Sequence, residues 1–313
     1  MKILNTIGGA FAPEGKKILA ELGEIDYRIP TRMELVKIID NYDAALIGLG
    51  LSFDREVLDK ASKLEVIATA TTGLDHLDVV YAKENGIEIL SLRGEDAFLN
   101  TISGTAELAL GLMIDLVRHT PWAFDSVKKY KWNREDFKGI TLRGKTLGII
   151  GLGRLGSMMA RYGEALGMKV IFADPSKEDT KYRKVSFDDL LRESDIISIH
   201  VHLTGSTEGM FNANAFKIMK KGAYLINTSR GKIVLEEALR QALENGQVGG
   251  YATDVLAQEL LFEAKGFKKH PLVEYAKIHD NCIIVPHIGG MTVDSRIATD
   301  IFMAKKLREY FQA

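Results

Sequence analysis

The segment 146–167, TLGIIGLGRLGSMMARYGEALG, constrains this chain more than any other. An apolar run of strand length, 146–150, ends in Gly151-Leu-Gly153-Arg-Leu-Gly156. A stretch with apolar residues at helical spacing follows, from Arg154 to about Leu166. Six residues with three glycines mean little by themselves in a chain holding 29 of them. The strand before and the helix after give the pattern its meaning. Gly151 allows a tight turn, Gly153 lets backbone approach a pyrophosphate, and Gly156 lets helix and strand pack closely. The free N–H groups of the helix N-terminus then face the anion. The next apolar run, KVIFADP, ends in Asp174, 18 residues beyond Gly156. That is close to the roughly 20 expected of an acid that binds a ribose diol. The same carboxylate would repel a 2′-phosphate, so NAD is expected rather than NADP.

The rest of the chain repeats this alternation. KILNTI, AALIGL, EVIATA and IEILSL read as strands, with EGKKILAELG, TRMELVKIIDNY, FDREVLDKAS and VVYAKENG as helices between them. A long helical stretch from Gly104 to about Trp132 precedes a second set: TLGIIGLG, KVIFADP, DIISIHV, GAYLINTS, GGYATDV and NCIIVPH. Near-continuous apolar strands alternating with helices predict parallel sheets covered on both faces. Two such α/β units are expected, dividing near residue 100. A length of 313 residues suits two domains.

Charge narrows the function. The formal net charge is −1 with signs nearly balanced, so no basic excess draws a phosphate backbone and nucleic acid is not an expected partner. No apolar run approaches the roughly 18 to 20 residues needed to cross a bilayer, so no membrane role is expected. MKILNTIGGAFAPEG reads as a first strand and loop, not as a signal peptide. The single cysteine, Cys282, excludes an internal disulfide, suits a cytoplasmic setting, and reads as a small core residue.

Ligands of a doubly wound sheet bind beyond the carboxyl ends of its strands. Arg230 follows GAYLINTS at such an end, where its planar donors would suit a substrate carboxylate. Hydride transfer to a carbonyl also needs an acid, and the chain has seven histidines. His119 ends a helical segment. His270 and His279 flank polar sequence and are expected to face solvent. His200 and His202 form an H-x-H pair on one strand face, half of a metal site at best, with no further ligands at suitable spacing. His76 lies in TTGLDHLD. His287 ends CIIVP ahead of IGG, again at a strand's carboxyl end, and Glu259 in TDVLAQE is a candidate partner.

Together, GLGRLG, FADP, INTSRGKIVLEEAL, TDVLAQE and VPHIGG resemble the D-isomer-specific 2-hydroxyacid dehydrogenases, in the phosphoglycerate dehydrogenase-like branch. TTGLDHLD (71–78) and SGTAELAL (103–110) match the family's substrate loop and the start of its crossover helix. The resemblance implies an NAD-dependent oxidoreductase interconverting a 2-oxo acid and a D-2-hydroxy acid. Arg230 would hold the carboxylate and polarise the carbonyl. His287 would be the general acid in reduction and base in oxidation, oriented by Glu259. Thr72 and Gly73 would bind substrate oxygens. Gly151, Gly153, Arg154, Leu155, Gly156, Asp174, Thr204, Thr228, Ser229, Asp254, Gly289, Gly290 and Thr105 would line the cofactor, with Asp254 near the nicotinamide carboxamide. No metal is implied.

The resemblance also implies an architecture: a Rossmann NAD-binding domain, 103–287, inserted into a flavodoxin-like substrate domain, 1–102 and 288–313, with the ligands in the cleft between them. SRIATDIFMAKKLREYFQA would return as a closing helix. Homodimers would pair through the helical region 104–132. The chain ends soon after the returning helix, so feedback through a C-terminal regulatory domain is not expected. It departs from the family in having Leu260 where proline usually follows the glutamate, His202 in place of the proline of H-x-P-L-T, and a long, basic segment between Glu259 and His287. These departures bear on substrate identity. Arg93 is one candidate cation for a phosphorylated substrate. An NAD-sensing, corepressor-like protein, or a phosphite or formate dehydrogenase, are the alternatives on this scaffold.

Overall fold

A computed structural model describes residues 1–179, 181–259, 262 and 269–312. The chain forms two compact units, one made of Met1–Ile102 together with 291–312, the other of Ser103–Glu259 together with 269–290. The second unit is an insertion in the first. The chain leaves it after Gly290 rather than after His287, because Ile288 and Gly289 donate their N–H groups to the Asp254 carboxylate and stay with the larger sheet.

The first unit holds a five-stranded, all-parallel sheet of β1 (Lys2–Asn5), β2 (Glu24–Tyr27), β3 (Ala44–Ile47), β4 (Val66–Thr69) and β5 (Glu88–Leu90), in the order β2-β1-β3-β4-β5. That is the flavodoxin-like order. Strand period divides its core in two. Ala45 and Ile47 of β3 join one cluster with α2 (Arg32–Ile38), α3 (Arg55–Leu58) and α4 (Val79–Glu84). Ala44 and Leu46 join the other, with Ile18 and Leu19 of α1 (Pro13–Ala20), Leu99 of α5 (Asp96–Leu99) and Met303, Ala304 and Leu307 of the last helix, Val293–Gln312. Both faces being buried, β3 reads as an unbroken apolar run. The strand β2 was not expected. It is an edge strand of four partly exposed residues, EIDY, and carries no such run.

The second unit holds a seven-stranded parallel sheet of β6 (Thr146–Ile150), β7 (Lys169–Ala173), β8 (Arg183–Lys184), β9 (Ile196–Ile199), β10 (Ala223–Asn227), β11 (Val248–Thr253) and β12 (Cys282–Ile284). Their order is β12-β11-β10-β9-β6-β7-β8. The two-residue β8 is too short to have left a sequence pattern. Leu147 and Ile149 of β6 point to a core shared with α6 (Gly104–Arg118) and α8 (Arg154–Ala165). Gly148 between them points the other way, where a side chain would meet Leu190 of α9 (Phe187–Glu193) at 2.6 Å. Both faces are again covered. The chain runs outward from β6 through β7 and β8, then restarts beside β6 with β9. The crevice at that switch point opens at the carboxyl ends of β6 and β9.

The long helical stretch after Gly104 is two helices. α6 ends at His119, whose φ of 55° is left-handed, and α7 (Thr120–Lys128) starts from it. The expectation about membrane-spanning length is also corrected: the helical stretch Asp96–Arg118 is long and apolar enough by length and composition. Much of that apolarity is core, since Ala109, Leu112, Met113, Leu116 and Val117 are buried against the larger sheet. Cys282 is buried on β12, and burial pushes its thiol up to about 12. Within the long segment between Glu259 and His287, Pro271–Ala276 forms a helix; Leu260 and most of the basic stretch before His270 lie outside the described residues.

Candidate active site

The glycine turn sits at the switch point. Gly151 has a φ of 87°, and a side chain at Gly156 would fall 2.0 Å from the Gly151 carbonyl oxygen, so helix α8 begins against the turn. Gly153 is the N-cap of α8, no side chain caps it, and the space a side chain would take there is open. Asp174 follows β7. Its Oδ1 accepts from the N–H groups of Ser176 and Lys177 and from the Ser176 hydroxyl, and its Oδ2 from the Leu152 N–H at 2.9 Å. Burial alone would raise this carboxyl, but those bonds hold it below its ordinary value, so it stays charged beside the turn. Thr228, just after β10, is buried with its hydroxyl unpartnered. An open, uncapped helix start, a charged acid and an orphaned hydroxyl fit a dinucleotide's pyrophosphate, ribose and remaining polar groups.

A second constellation forms past β10, β11 and β12. Asn227 is fully buried; its Nδ2 donates to the Arg230 carbonyl at 3.0 Å and its Oδ1 accepts from the Ser229 N–H at 3.0 Å, which shapes the turn presenting Arg230. Ser229 donates its hydroxyl to Ile199 O, tying the turn to β9. Arg230 is half-buried and donates from Nη1 to the Ser229 carbonyl. Gly231 follows. A Cβ there would lie 2.1 Å from Leu256 C and 2.3 Å from Ala257 N, so only glycine lets the turn of Arg230 touch the turn of Glu259.

Glu259 Oε1 meets His287 Nδ1 at 2.8 Å, with both side chains about a quarter exposed. His287 has a left-handed φ of 51°, a conformation a non-glycine residue keeps only under restraint. The restraint is Asp254, whose carbonyl accepts the His287 N–H and whose two carboxylate oxygens accept those of Ile288 and Gly289, at 2.6 and 2.7 Å. A side chain at Gly289 would meet Asp254 Oδ2 at 2.9 Å and Thr105 at 3.2 Å, so Thr105 of α6 borders the same turn. Burial works against a charged imidazole at His287, yet the hydrogen bond and charge of Glu259, with the charge of Asp254, outweigh both it and Arg230, and its pKa is raised.

Burial pushes Asp254 up to about 6, against the two N–H bonds it accepts and the charge of His287. With its folded pKa raised above 3.8, its contribution to stability is present below about pH 4 and lost as pH rises through about 6. We expect the melting temperature of wild type minus that of Asp254→Asn to fall across that window and to level off above pH 7. Melts across this range check it; a difference that stays constant would refute it.

Comparison with known proteins gives the family. Residues 110–289 match the model of the D-isomer specific 2-hydroxyacid dehydrogenase NAD binding domain. The chain belongs to the D-isomer specific 2-hydroxyacid dehydrogenase family. It is 37% identical over 300 residues to D-3-phosphoglycerate dehydrogenase of Methanocaldococcus jannaschii, covering 94% of this chain and 54% of that one. The chain thus spans about half the length of such relatives. It is 37% identical over 276 residues to hydroxypyruvate reductase of Thermotoga maritima, covering 88% and 86%. Among solved structures, D-lactate dehydrogenase of Aquifex aeolicus, complexed with NAD and lactic acid, superposes with a TM-score of 0.88 at 28% identity, over 100% of this chain and 96% of that one. The larger unit is this family's NAD-binding domain.

The structure brings together Arg230, Glu259, His287, Asp254, Gly289 and Thr105. Thr204 lies in an exposed turn closed by Thr207, at the carboxyl side of β9. Arg154 and Leu155 open α8, and Gly290 follows the Asp254-bound turn. Thr72 and Gly73 belong to the smaller unit, beyond the end of β4. There the Thr71 hydroxyl donates to the Gly73 carbonyl and pairs with Thr69, which in turn pairs with the buried His76. Arg93 adjoins that loop through the Leu92 N–H to Thr71 O bond and is exposed.

Three expectations about histidines are corrected. β9 stops at Ile199, so His200 and His202 are not a strand pair; His200 Nε2 meets Ser198, burial drops its pKa to about 4, and His202 is exposed. His270 is buried against Glu236 instead of facing solvent. His279 is half-buried, stacked on Tyr275 at 3.9 Å. Among the described residues, no three His, Cys, Asp or Glu side chains group to hold a metal ion. The clamping roles of Asn227 and Asp254 had no sequence signal beyond an amide and an acid ending apolar strands.

Proposed function

We propose that this chain is an NAD-dependent dehydrogenase interconverting a 2-oxo acid and a D-2-hydroxy acid. The observation that carries the reading is the His287–Glu259 pair beside Arg230, at the sheet edge where the glycine turn also opens. When bound, NAD supplies or takes the hydride at C2. Arg230 holds the substrate carboxylate by two-pronged, charge-assisted hydrogen bonds and polarises the 2-oxo group. Glu259, on Nδ1, fixes the tautomer of His287 and leaves Nε2 to deliver a proton to the carbonyl oxygen during reduction, or to take one from the hydroxyl during oxidation. The raised pKa of His287 keeps a proton available for the reductive direction. Asp254 holds His287 in place, and Asp174 favours NAD by repelling a 2′-phosphate. Thr72 and Gly73 offer backbone to the substrate's oxygens. Thr105, Arg154, Leu155, Thr204, Thr228, Ser229 and Gly290 are assigned to the cofactor on the family resemblance.

The names of the relatives set the panel: glyoxylate, hydroxypyruvate, pyruvate and phosphohydroxypyruvate, each with NADH, with the configuration of the product determined. Turnover of at least one to a D-2-hydroxy acid is expected. Tight NADH binding with no turnover on any would overturn the reading in favour of an NAD-sensing protein.

We also infer that two copies pair through the 104–132 region. Phe124, Val127, Tyr130 and Trp132 are exposed there, a larger apolar display than a solvated helix needs. Sedimentation equilibrium is expected to give twice the 34.7 kDa chain mass, and Phe124→Glu with Trp132→Glu to give the monomer. A wild-type monomer at micromolar concentration would sink the idea. The single buried cysteine suits the reducing cytoplasm expected for such an enzyme.

A further inference from the structure

The peptide between Leu256 and Ala257 is held from two sides. On one side lies Gly231, whose missing side chain leaves room for Leu256 C and Ala257 N. On the other, the Ala257 N–H donates to Glu236 Oε1 at 2.9 Å. Glu236 is the first residue of the helix Glu236–Glu244 and is mostly buried. Its second oxygen, Oε2, meets Nε2 of buried His270 at 3.3 Å, and His270 is the N-cap of the helix Pro271–Ala276. Two helices and one turn therefore converge on a single carboxylate.

What hangs from that peptide is Glu259. Its own Oε2 accepts the Leu256 N–H at 3.2 Å, and its backbone N–H donates to the Leu256 carbonyl. Only Oε1 is directed to His287. The carboxylate is thus a bridge with one end fixed to the 256–259 turn and the other to the imidazole. Any rotation of the 256–257 peptide swings Oε1 away from Nδ1. The same rotation changes the contact with Gly231 and so the spacing between Arg230 and Glu259.

We propose that Glu236, steadied by His270, is a positioning residue: it fixes the 256–257 peptide and through it the Glu259–His287 hydrogen bond. Its carboxylate bonds Ala257 and meets His270, and it acts on His287 through Glu259. The inference rests on the proposed function for its catalytic meaning, while its geometric content is independent of turnover.

The experiment compares wild type with Glu236→Ala and Glu236→Gln. His287 is titrated by NMR through its ring Cε1–H, without cofactor or substrate, the signal assigned from its loss in His287→Gln. Kinetics follow with NADH and whichever 2-oxo acid of the panel turns over. Glu236→Ala is expected to let the His287 pKa fall back toward its ordinary value. It should lower kcat about tenfold, as small misplacements of catalytic groups do, with the Kd for NADH unchanged. Glu236→Gln keeps an oxygen for the Ala257 N–H and is expected to stay close to wild type in both readouts. Should Glu236→Ala fail to fold, His270→Ala, which removes the group meeting Glu236 Oε2, is expected to move the titration in the same direction, more weakly. Glu236→Ala titrating like wild type, Glu236→Gln behaving like Glu236→Ala, or an unmoved titration in His270→Ala would overturn the proposal. Absence of turnover in wild type would instead refute the dehydrogenase reading, with the titration still deciding the positioning one.

Discussion

Replacing His287 with alanine is expected to lower kcat for 2-oxo acid reduction by roughly 10²–10⁴-fold, the range of a positioned general acid, while the Kd for NADH changes little. The imidazole is held by one side-chain bond, Nδ1 to Glu259, and by a backbone fixed on Asp254, and the glycine turn and Asp174 are not part of either. Removing the ring therefore removes the proton and leaves the Gly151–Gly156 turn and Asp174 untouched. Asp254 would keep its hold on the N–H groups of Ile288 and Gly289. A pH profile sharpens the test. The pKa of His287 is raised mainly by Glu259 against burial, so wild-type reduction should fall only as pH climbs past that raised value. Glu259→Gln removes the charge and is expected to move the fall to lower pH and to reduce kcat. If His287→Ala retains wild-type kcat, the acid–base assignment is wrong.

Arg230→Ala is the second large effect. Here kcat/KM is expected to fall by about 10²–10³-fold, since two charge-assisted bonds and a donor toward the developing oxyanion are lost together. The guanidinium makes one bond to the turn, from Nη1 to the Ser229 carbonyl, but other groups also hold the backbone there. Asn227 holds the Arg230 carbonyl and the Ser229 N–H, and Gly231 seats the turn on Leu256 and Ala257. Fold and NADH affinity should survive, which steady-state kinetics, a melt and fluorescence titration of NADH can separate. Arg230→Lys tests the geometry: it keeps charge but not the planar fork, and should recover only part of the loss. An alanine variant with unchanged KM and kcat would refute the carboxylate-clamp assignment.

How much of this was legible in the sequence follows from where each signal lives. The glycine turn is a local device, three glycines between one strand and one helix, and the sequence states it completely. Buried parallel strands announce themselves as unbroken apolar runs because both faces are covered, and so β3, β4, β6, β9 and β10 are plain in the text. The partly exposed edge strand β2 and the two-residue β8 carry no such run. The break at His119 was hidden, since a left-handed residue between two apolar helical stretches leaves their periodicity intact.

By itself, then, the sequence determined the periodicity that demands two covered parallel sheets, the glycine turn between strand and helix, and the presence of Arg230, Glu259 and His287 beyond three strand ends. Their chemistry is carried by residue type, and residue type is what a sequence records. Only the tertiary structure decided how they meet. Three parallel strands laid side by side bring together residues 28 and 29 positions apart, Gly231 lets two turns touch, Asp254 holds His287 in a left-handed conformation, and Glu236 reaches across to Ala257. These are contacts between elements distant in sequence, set by strand order and by the absence of a single side chain, and no spacing along the chain encodes them.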